Sequence, residues 1–182
     1  MKRTIWTFGL ISGGILSAMM LLTMPFVDSI GYDRGRIIGY TTMVMACLLI
    51  FFGVRSYRDN VRGGTIGFGR AFAVGSLITV IACLCYVATW ELLFFKLAPE
   101  YATKFHATAV EKAKADSDSP EVLQKKLADV EKFTRLYQNP AFNAAVTFLE
   151  PLPVGLVLAL VSAGVLSRKR RSAQAMLATS IG

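Results

Sequence analysis

Four long apolar stretches constrain the fold of this chain more than any other feature of its sequence. They cover residues 4–27, 37–54, 71–97 and 141–167, and only Glu91, Lys96 and Glu150 carry charge within them. The hydrocarbon core of a bilayer is about 30 Å thick, which a helix of roughly 20 apolar residues can cross. Because 54% of the 182 residues are hydrophobic and only 18% are charged, we predict an all-α integral membrane protein with four transmembrane helices.

The basic residues predict which ends of these spans face the cytoplasm. The N-terminus, the loop between the second and third spans, and the segment after the fourth span together carry ten basic residues and one acid, Asp59. The other two segments are nearly balanced, with two basic against two acidic residues in 28–36 and eight against seven in 96–139. Cytoplasmic loops carry the excess of Lys and Arg, so both termini are predicted to be cytoplasmic. The ten basic residues are Lys2, Arg3, Arg55, Arg58, Arg62, Arg70, Arg168, Lys169, Arg170 and Arg171.

A basic N-terminus before an apolar run is also typical of a cleaved signal peptide. The apolar region of a signal peptide has about 7–15 residues and ends at a small-x-small cleavage site. The run 4–27 is longer, and its end is a poor cleavage site, so we predict a retained first span. Within it, Gly9 and Gly13 form a G-x-x-x-G pair, a spacing that allows close contact between membrane helices.

The stretch 98–139 is charged, mixed in sign and rich in alanine, and it predicts an extracytoplasmic helical hairpin. Ser119 is a good N-cap for the second helix, Pro120 suits its first position, and Glu121 complements its positive end. The apolar faces are expected to rest on neighbouring helices or on the lipid interface, and a coiled-coil arm is the alternative. The residues on these faces are Tyr101, Phe105 and Ala109 in the first helix, and Leu123, Leu127, Val130 and Tyr137 in the second.

Two prolines, Pro151 and Pro153, lie inside the fourth apolar stretch. Residues 152–166 alone would extend only about 22 Å as a helix, less than the hydrocarbon thickness, so the span must begin before the prolines. Because proline removes a backbone hydrogen bond, we predict a kinked or broken helix. The basic residues 168–171 end the single membrane domain, 1–171, and residues 172–182 are predicted to form a loose cytoplasmic tail.

Glu91 and Glu150 are the only acids within the predicted spans, and both are expected near the outer boundary of the membrane. Ionisable groups at membrane depth are costly and often functional, although a carboxylate near the interface can reach water. Three interpretations are open: pairing with Arg34, Arg36 or Lys96, a proton- or ligand-linked polar site, and plain solvation. A polar site would suit a small oligomeric transporter or channel subunit.

The stretch 55–72 joins the second and third spans with four glycines and four arginines. If the second helix continues past the membrane, its three arginines fall within about 60° of one another, and Asp59 lies in the same stripe. Tyr57 and Val61 are then expected to point to the lipid interface. The basic turn is predicted to contact anionic lipid headgroups, and the alternative is a cytoplasmic partner or a phosphorylated ligand. The four arginines are Arg55, Arg58, Arg62 and Arg70.

Patterns for nucleotides, metals and catalysis are lacking in the sequence. Gly63-Gly64 and Gly67-x-Gly69 have neither the Lys-Ser/Thr of a P-loop nor the preceding strand of a dinucleotide fingerprint. The three cysteines lie inside apolar stretches and match no zinc or redox spacing, and His106 is the single histidine. We therefore predict no enzymatic activity, catalytic residue, metal or cofactor. Because the basic residues flank the apolar stretches, a nucleic-acid partner is not expected either.

The stretch Tyr57-Arg58-Asp59, Gly64-x-Ile66-Gly67-Phe68-Gly69-Arg70-Ala71 and Gly75 resembles the bacterial membrane family catalogued as domain of unknown function 4199. The order of three spans, a charged insert and a last span that ends in basic residues is also similar, over about residues 5–170. The resemblance implies a bacterial inner-membrane location and a four-helix form, but no activity. The leading hypothesis is a structural or accessory protein that contacts membrane lipids, a second copy of itself or another membrane protein.

Overall fold

A computed structural model describes the backbone of residues 1–98 and 100–181, and the side chains except those at 27, 28, 32, 33, 36 and 168–181. The side chains of Arg36, of the basic tract 168–171 and of the tail 172–182 thus lie outside the description. Across the described residues the fold is all-helical and contains no strand, which confirms the predicted fold class. The α-helices are α1 Lys2–Thr23, α2 Val27–Ile30, α3 Tyr32–Val61, α4 Phe68–Leu92, α5 Glu100–Ala115, α6 Pro120–Tyr137, α7 Pro140–Leu149 and α8 Leu152–Ile181.

Four helical stretches in the described chain are long and apolar enough to cross a membrane, in agreement with the four spans predicted. They are Lys2–Phe26, Ile37–Val61, Phe68–Leu97 and Pro140–Ser167. The second ends at Val61 rather than at residue 54, and the third begins at Phe68 rather than at residue 71. The difference arises because both helices continue through polar residues at which the apolar pattern stops.

The first compact unit comprises Met1–Tyr86 and Phe148–Gly182. Its helices meet at small residues, since a Cβ built on Gly75 of α4 would lie only 2.8 Å from the Cβ of Ala159 in α8. Such approaches exclude larger side chains and are typical of helix contacts in membranes. Along α3, buried residues recur at helical spacing and form its core face. They include Met43, Ala46, Ile50, Val54 and Tyr57.

The fourth span is broken, as its prolines predict. The first part, α7, ends at Leu149, and α8 begins at Leu152. The Gly155 N–H donates to the Pro151 carbonyl at 3.0 Å, so the hydrogen bonding of α8 starts from the break itself. Because proline has no N–H to continue the preceding helix, Pro151 explains why α7 stops where it does.

The second compact unit, Val87–Thr147, contains the end of α4, the α5–α6 pair and the start of α7. The last turn before α5 is a π-turn over Leu93–Leu97, closed by the Ala98 N–H, which donates to the Leu93 carbonyl at 2.8 Å. Beyond it, α5 and α6 pack against each other as the predicted helical hairpin.

Side-chain caps define the helix starts in the second unit. The Ser119 hydroxyl accepts the Val122 N–H at 3.3 Å, and Pro120 is the first residue of α6, which confirms the predicted cap. Asn139 does the same for α7, since its Oδ1 accepts the N–H groups of Ala141 at 3.0 Å and Phe142 at 3.4 Å. Each cap satisfies N–H groups that lack a partner inside the helix.

A buried polar network joins the end of α6 to α7. Asn143 is 0% exposed, its Nδ2 donates to the Tyr137 carbonyl at 3.1 Å, and its Oδ1 accepts the Thr147 hydroxyl at 3.2 Å. The Tyr137 hydroxyl lies 3.4 Å from the Thr147 Oγ1. Buried polar groups are stable only when they are hydrogen-bonded, so this network fixes the corner between the two helices.

Candidate functional site

The segment 55–70, here called the arginine loop, runs from the end of α3 to the start of α4. Its turn consists of two glycines with positive φ, 63° at Gly63 and 88° at Gly64. Glycine adopts this conformation without the steric cost of a Cβ. The Gly64 N–H donates to the Arg58 carbonyl at 3.0 Å and so closes the last turn of α3. Gly63 and Gly64 therefore form a tight turn between two spans.

Two large side chains anchor the arginine loop in the core of the first unit. Tyr57 is 5% exposed and Ile66 is 2% exposed, and both belong to the same buried cluster as Val54. The prediction that Tyr57 points to the lipid interface is therefore wrong. The core face of α3 continues through Ile50 and Val54 to Tyr57 at helical spacing, so burial extends to the end of the helix. Val61, in contrast, is 48% exposed.

The four arginines have different surroundings. Arg58 is buried, and its Nε and Nη2 donate to the Asp59 carboxylate at 2.7 Å and 3.2 Å. Arg55 has a 56% exposed side chain and approaches the same carboxylate at 3.6 Å. Arg62 and Arg70 are exposed, and neither has an ion-pair partner among the side chains that the structure describes. The predicted stripe therefore loses Arg58 to the interior and keeps Arg55 and Arg62 at the surface, and Arg70 at the start of α4 is exposed as well.

The exposed guanidinium groups of the arginine loop give it a positive surface beside two spans. Asp59 is the only acid in the loop, and its carboxylate is shared between Arg55 and Arg58. A guanidinium presents a planar fork of donors that matches phosphate and carboxylate oxygens. The chemistry of the loop therefore suits anionic groups, such as the phosphates of lipid headgroups.

Glu150 lies at the break between α7 and α8 and is exposed. Its Oε2 accepts a hydrogen bond from the Tyr86 hydroxyl at 3.2 Å, across a sequence separation of 64 residues. The pairings predicted for Glu150 were all ionic, so this neutral partner is new. No local pattern in the sequence connects positions so far apart, and sequence reasoning could not have found it.

Glu91 belongs to the second unit, near the end of α4. Its Oε1 is buried and has no hydrogen-bond partner among the described residues, and the same holds for Nε1 of the adjacent Trp90. A buried polar atom without a partner lowers stability. Glu150 belongs to the first unit.

The remaining candidates for metal binding or catalysis are the three cysteines and His106. Within the described residues, no group of three or more His, Cys, Asp or Glu side chains could hold a metal ion. Cys47 and Cys83 are buried, and Cys85 is partly buried. His106 is a partly exposed residue of α5.

The comparison with protein families gives one match, which agrees with the resemblance seen in the sequence. A family model described as "Protein of unknown function (DUF4199)" matches residues 7–168. The match includes the arginine loop, both glutamates and the helical hairpin. No curated protein and no solved structure matches the chain.

Proposed function

The chain belongs to the DUF4199 family of proteins of unknown function, and from this premise we propose that it is a structural or accessory protein of a bacterial inner membrane. It acts through contacts with lipids and with other membrane proteins. The arginine loop lies on the cytoplasmic side, where Arg55, Arg62 and Arg70 hold anionic headgroups. The proposal includes no catalytic step, cofactor or nucleic-acid partner.

One observation carries this proposal, namely that three arginines remain exposed beside the ends of two spans. Arg58 and Tyr57 of the same loop are packed inside, at 7% and 5% exposure, so exposure is not a general property of the loop. A basic residue near an anionic membrane surface contributes about 1 kcal/mol to the attraction. In the proposed orientation, the three arginines would face the anionic phosphates of the cytoplasmic leaflet.

Replacing Arg55, Arg62 and Arg70 together by glutamine is expected to weaken the binding of anionic lipid. At about 1 kcal/mol for each arginine, the loss is roughly 3 kcal/mol, or about a hundredfold in dissociation constant. The measurement titrates the purified protein in neutral detergent with phosphatidylglycerol and, separately, with phosphatidylcholine. The preference of the wild type for phosphatidylglycerol should largely disappear in the triple variant.

A matched control removes the same charge elsewhere. Lys114, Lys125 and Lys132 are exposed residues of the α5–α6 hairpin, and replacing all three by glutamine should leave the lipid preference unchanged. If both triple variants lose the preference equally, net charge rather than the arginine loop governs lipid binding. An unchanged preference in the arginine variant would remove the proposed contact.

The proposed orientation places both termini and the arginine loop in the cytoplasm and the α5–α6 hairpin outside. Asp118, in the hairpin turn, and Thr65, in the arginine loop, are both exposed. In intact spheroplasts we expect Asp118→Cys to react with a membrane-impermeant maleimide and Thr65→Cys to react only after permeabilisation. The wild type, with its three native cysteines, is the blank. The opposite labelling pattern would invert the topology.

A small transporter or channel subunit that uses Glu91 and Glu150 is the weaker candidate. Glu150 already accepts the Tyr86 hydroxyl at 3.2 Å and is exposed. Glu91 belongs to the other compact unit, and no observation joins the two carboxylates in one path. The broken fourth span is compatible with transport, but the prolines account for it without any transported ion.

A further inference from the structure

Aromatic rings gather in the second unit where the α5–α6 hairpin meets the ends of α4 and α7. Each ring lies within 6.3 Å of another, measured between centroids. We call this cluster the aromatic base. Its members are Trp90, Phe94, Phe95, Tyr101, Phe105, Phe133, Tyr137 and Phe142.

Three ring contacts connect the hairpin to the spanning segments. Tyr101 at the start of α5 lies 5.5 Å from Trp90, and Tyr137 at the end of α6 lies 5.4 Å from Phe94. Phe133 lies 6.2 Å from Phe142. Trp90, Phe94 and Phe142 belong to the spans Phe68–Leu97 and Pro140–Ser167. The hairpin therefore begins and ends beside the last residues of one spanning segment and the first residues of the next.

The outer members of the aromatic base are only partly covered by protein. Phe105 and Phe133 stack on Tyr101 and Tyr137 at 6.3 Å and 5.4 Å, one helical turn further along the hairpin. They are nevertheless 39% and 40% exposed, and Leu136 beside them is 43% exposed. One helical turn advances about 5.4 Å, which is comparable to the thickness of the headgroup layer. Side chains one turn beyond the ends of the spanning segments would therefore reach the layer of the lipid headgroups.

We propose that the aromatic base is an interfacial anchor, which inserts Phe105, Phe133 and Leu136 into the boundary between the headgroups and the acyl chains. The occupant of this surface is the lipid of the bilayer that the protein itself spans, because the exposed rings are continuous with rings of the spanning segments. Aromatic side chains favour this layer, since a ring tolerates both apolar and polar neighbours.

The anchor differs from the arginine loop in its chemistry. The segment 96–139 has eight basic and seven acidic residues, so its attraction to the membrane rests on apolar burial rather than on net charge. Insertion at this depth would fix how far α4 and α7 extend from the bilayer, as interfacial aromatic residues do for membrane helices. The anchor requires a membrane location but not the headgroup contacts proposed for the arginines.

Fluorescence quenching of the full-length protein in bilayers tests the anchor. In a background with Trp6→Phe and Trp90→Phe, a single tryptophan is introduced by Phe133→Trp. The probes are lipids brominated in the upper part of the acyl chain, which quench from within the bilayer, and acrylamide, which quenches from water. We expect a blue-shifted emission that loses most of its intensity to the brominated lipids and little to acrylamide.

Val122→Trp in the same background is the matched control. Val122 is 44% exposed, close to the value for Phe133, but it lies at the far end of α6, about 16 Å away along the helix. Its emission should be red-shifted and quenched by acrylamide only. Phe105→Trp is a second test position on α5, should Phe133→Trp fail to fold.

Three results would overturn the proposal. Quenching of the Phe133→Trp and Phe105→Trp variants by acrylamide alone would place the aromatic base in water. Resistance to both quenchers would show a protein partner on this surface instead of lipid. Equal quenching of Val122→Trp by the brominated lipids would mean that the whole of α6 lies in the membrane, and not only its end at the aromatic base. Each result leaves the arginine-loop titration unaffected, so the two proposals fail independently.

Discussion

Replacing Gly13 by leucine is expected to disrupt the packing of α1 on α4, whereas the same replacement at the adjacent Gly14 should be tolerated. A Cβ built on Gly13 would lie 2.5 Å from the Cβ of Cys85 and 3.3 Å from the backbone Cα of Ala82. A Cβ on Gly14 would have no neighbour within 4 Å. The two glycines therefore differ in space although they are adjacent in sequence.

The expected loss at Gly13 is near the upper end of the range for overpacked cores. Inserting extra atoms into a packed interior costs about 1–3 kcal/mol. Here the clash begins at the first side-chain atom and includes a neighbouring backbone, so no rotamer can relieve it. Separating the helices would also break the hydrogen bond from the Ser17 hydroxyl to the Cys85 carbonyl, which measures 3.4 Å. We therefore expect a loss of about 3 kcal/mol.

Unfolding by sodium dodecyl sulfate in mixed micelles measures this loss. Helix content by circular dichroism gives the free energy of unfolding for the wild type and for both variants. Gly14→Leu should equal or slightly exceed the wild type, because leucine favours helix more than glycine does. If Gly13→Leu proved as stable as Gly14→Leu, the close contact between α1 and α4 would not exist in the folded protein.

Features that depend on local sequence could be predicted, and features that depend on packing could not. The spans, the Ser119 cap and the break at Pro151 follow from apolar length and from backbone chemistry that acts within a few residues. The G-x-x-x-G pair predicted a close contact but not its partner, which proved to be α4. Which helix packs against α1 depends on how all the helices assemble, and the sequence of α1 alone does not determine it.

The arginine loop shows the same limit within the candidate site. Charge runs identified the loop and its arginines, but helical angles placed Arg55, Arg58 and Arg62 on one stripe. Arg58 is 7% exposed, while Arg62 is exposed, because Arg58 lies at the edge of the stripe nearest the buried face of α3. The prediction that Tyr57 points to the lipid interface fails for a similar reason, since Tyr57 is 5% exposed. Whether a residue at the edge of a helix face is buried or exposed depends on the neighbouring helices, which the pattern of one helix does not show.

Asn143 was not singled out in the sequence, yet its replacement by leucine is the second large effect that we expect. The side chain is 0% exposed and links the Tyr137 carbonyl at 3.1 Å to the Thr147 hydroxyl at 3.2 Å. Leucine has a similar volume but no polar atom. Leaving a buried donor or acceptor unsatisfied costs about 1–3 kcal/mol. With two such groups affected, we expect a loss of about 3 kcal/mol.

Two control variants distinguish the loss of hydrogen bonds at Asn143 from a general effect of introducing leucine. Gln138 is exposed and follows Tyr137 as the C-cap of α6, so Gln138→Leu should change stability by less than about 0.5 kcal/mol. Thr147→Val removes one hydroxyl and keeps the shape, and it should have an intermediate effect. Amide hydrogen exchange should rise around residues 137–143 in Asn143→Leu and remain low in Gln138→Leu. Equal stability of the two leucine variants would mean that the corner between α6 and α7 is held by its aromatic and apolar contacts, and that the buried amide contributes little.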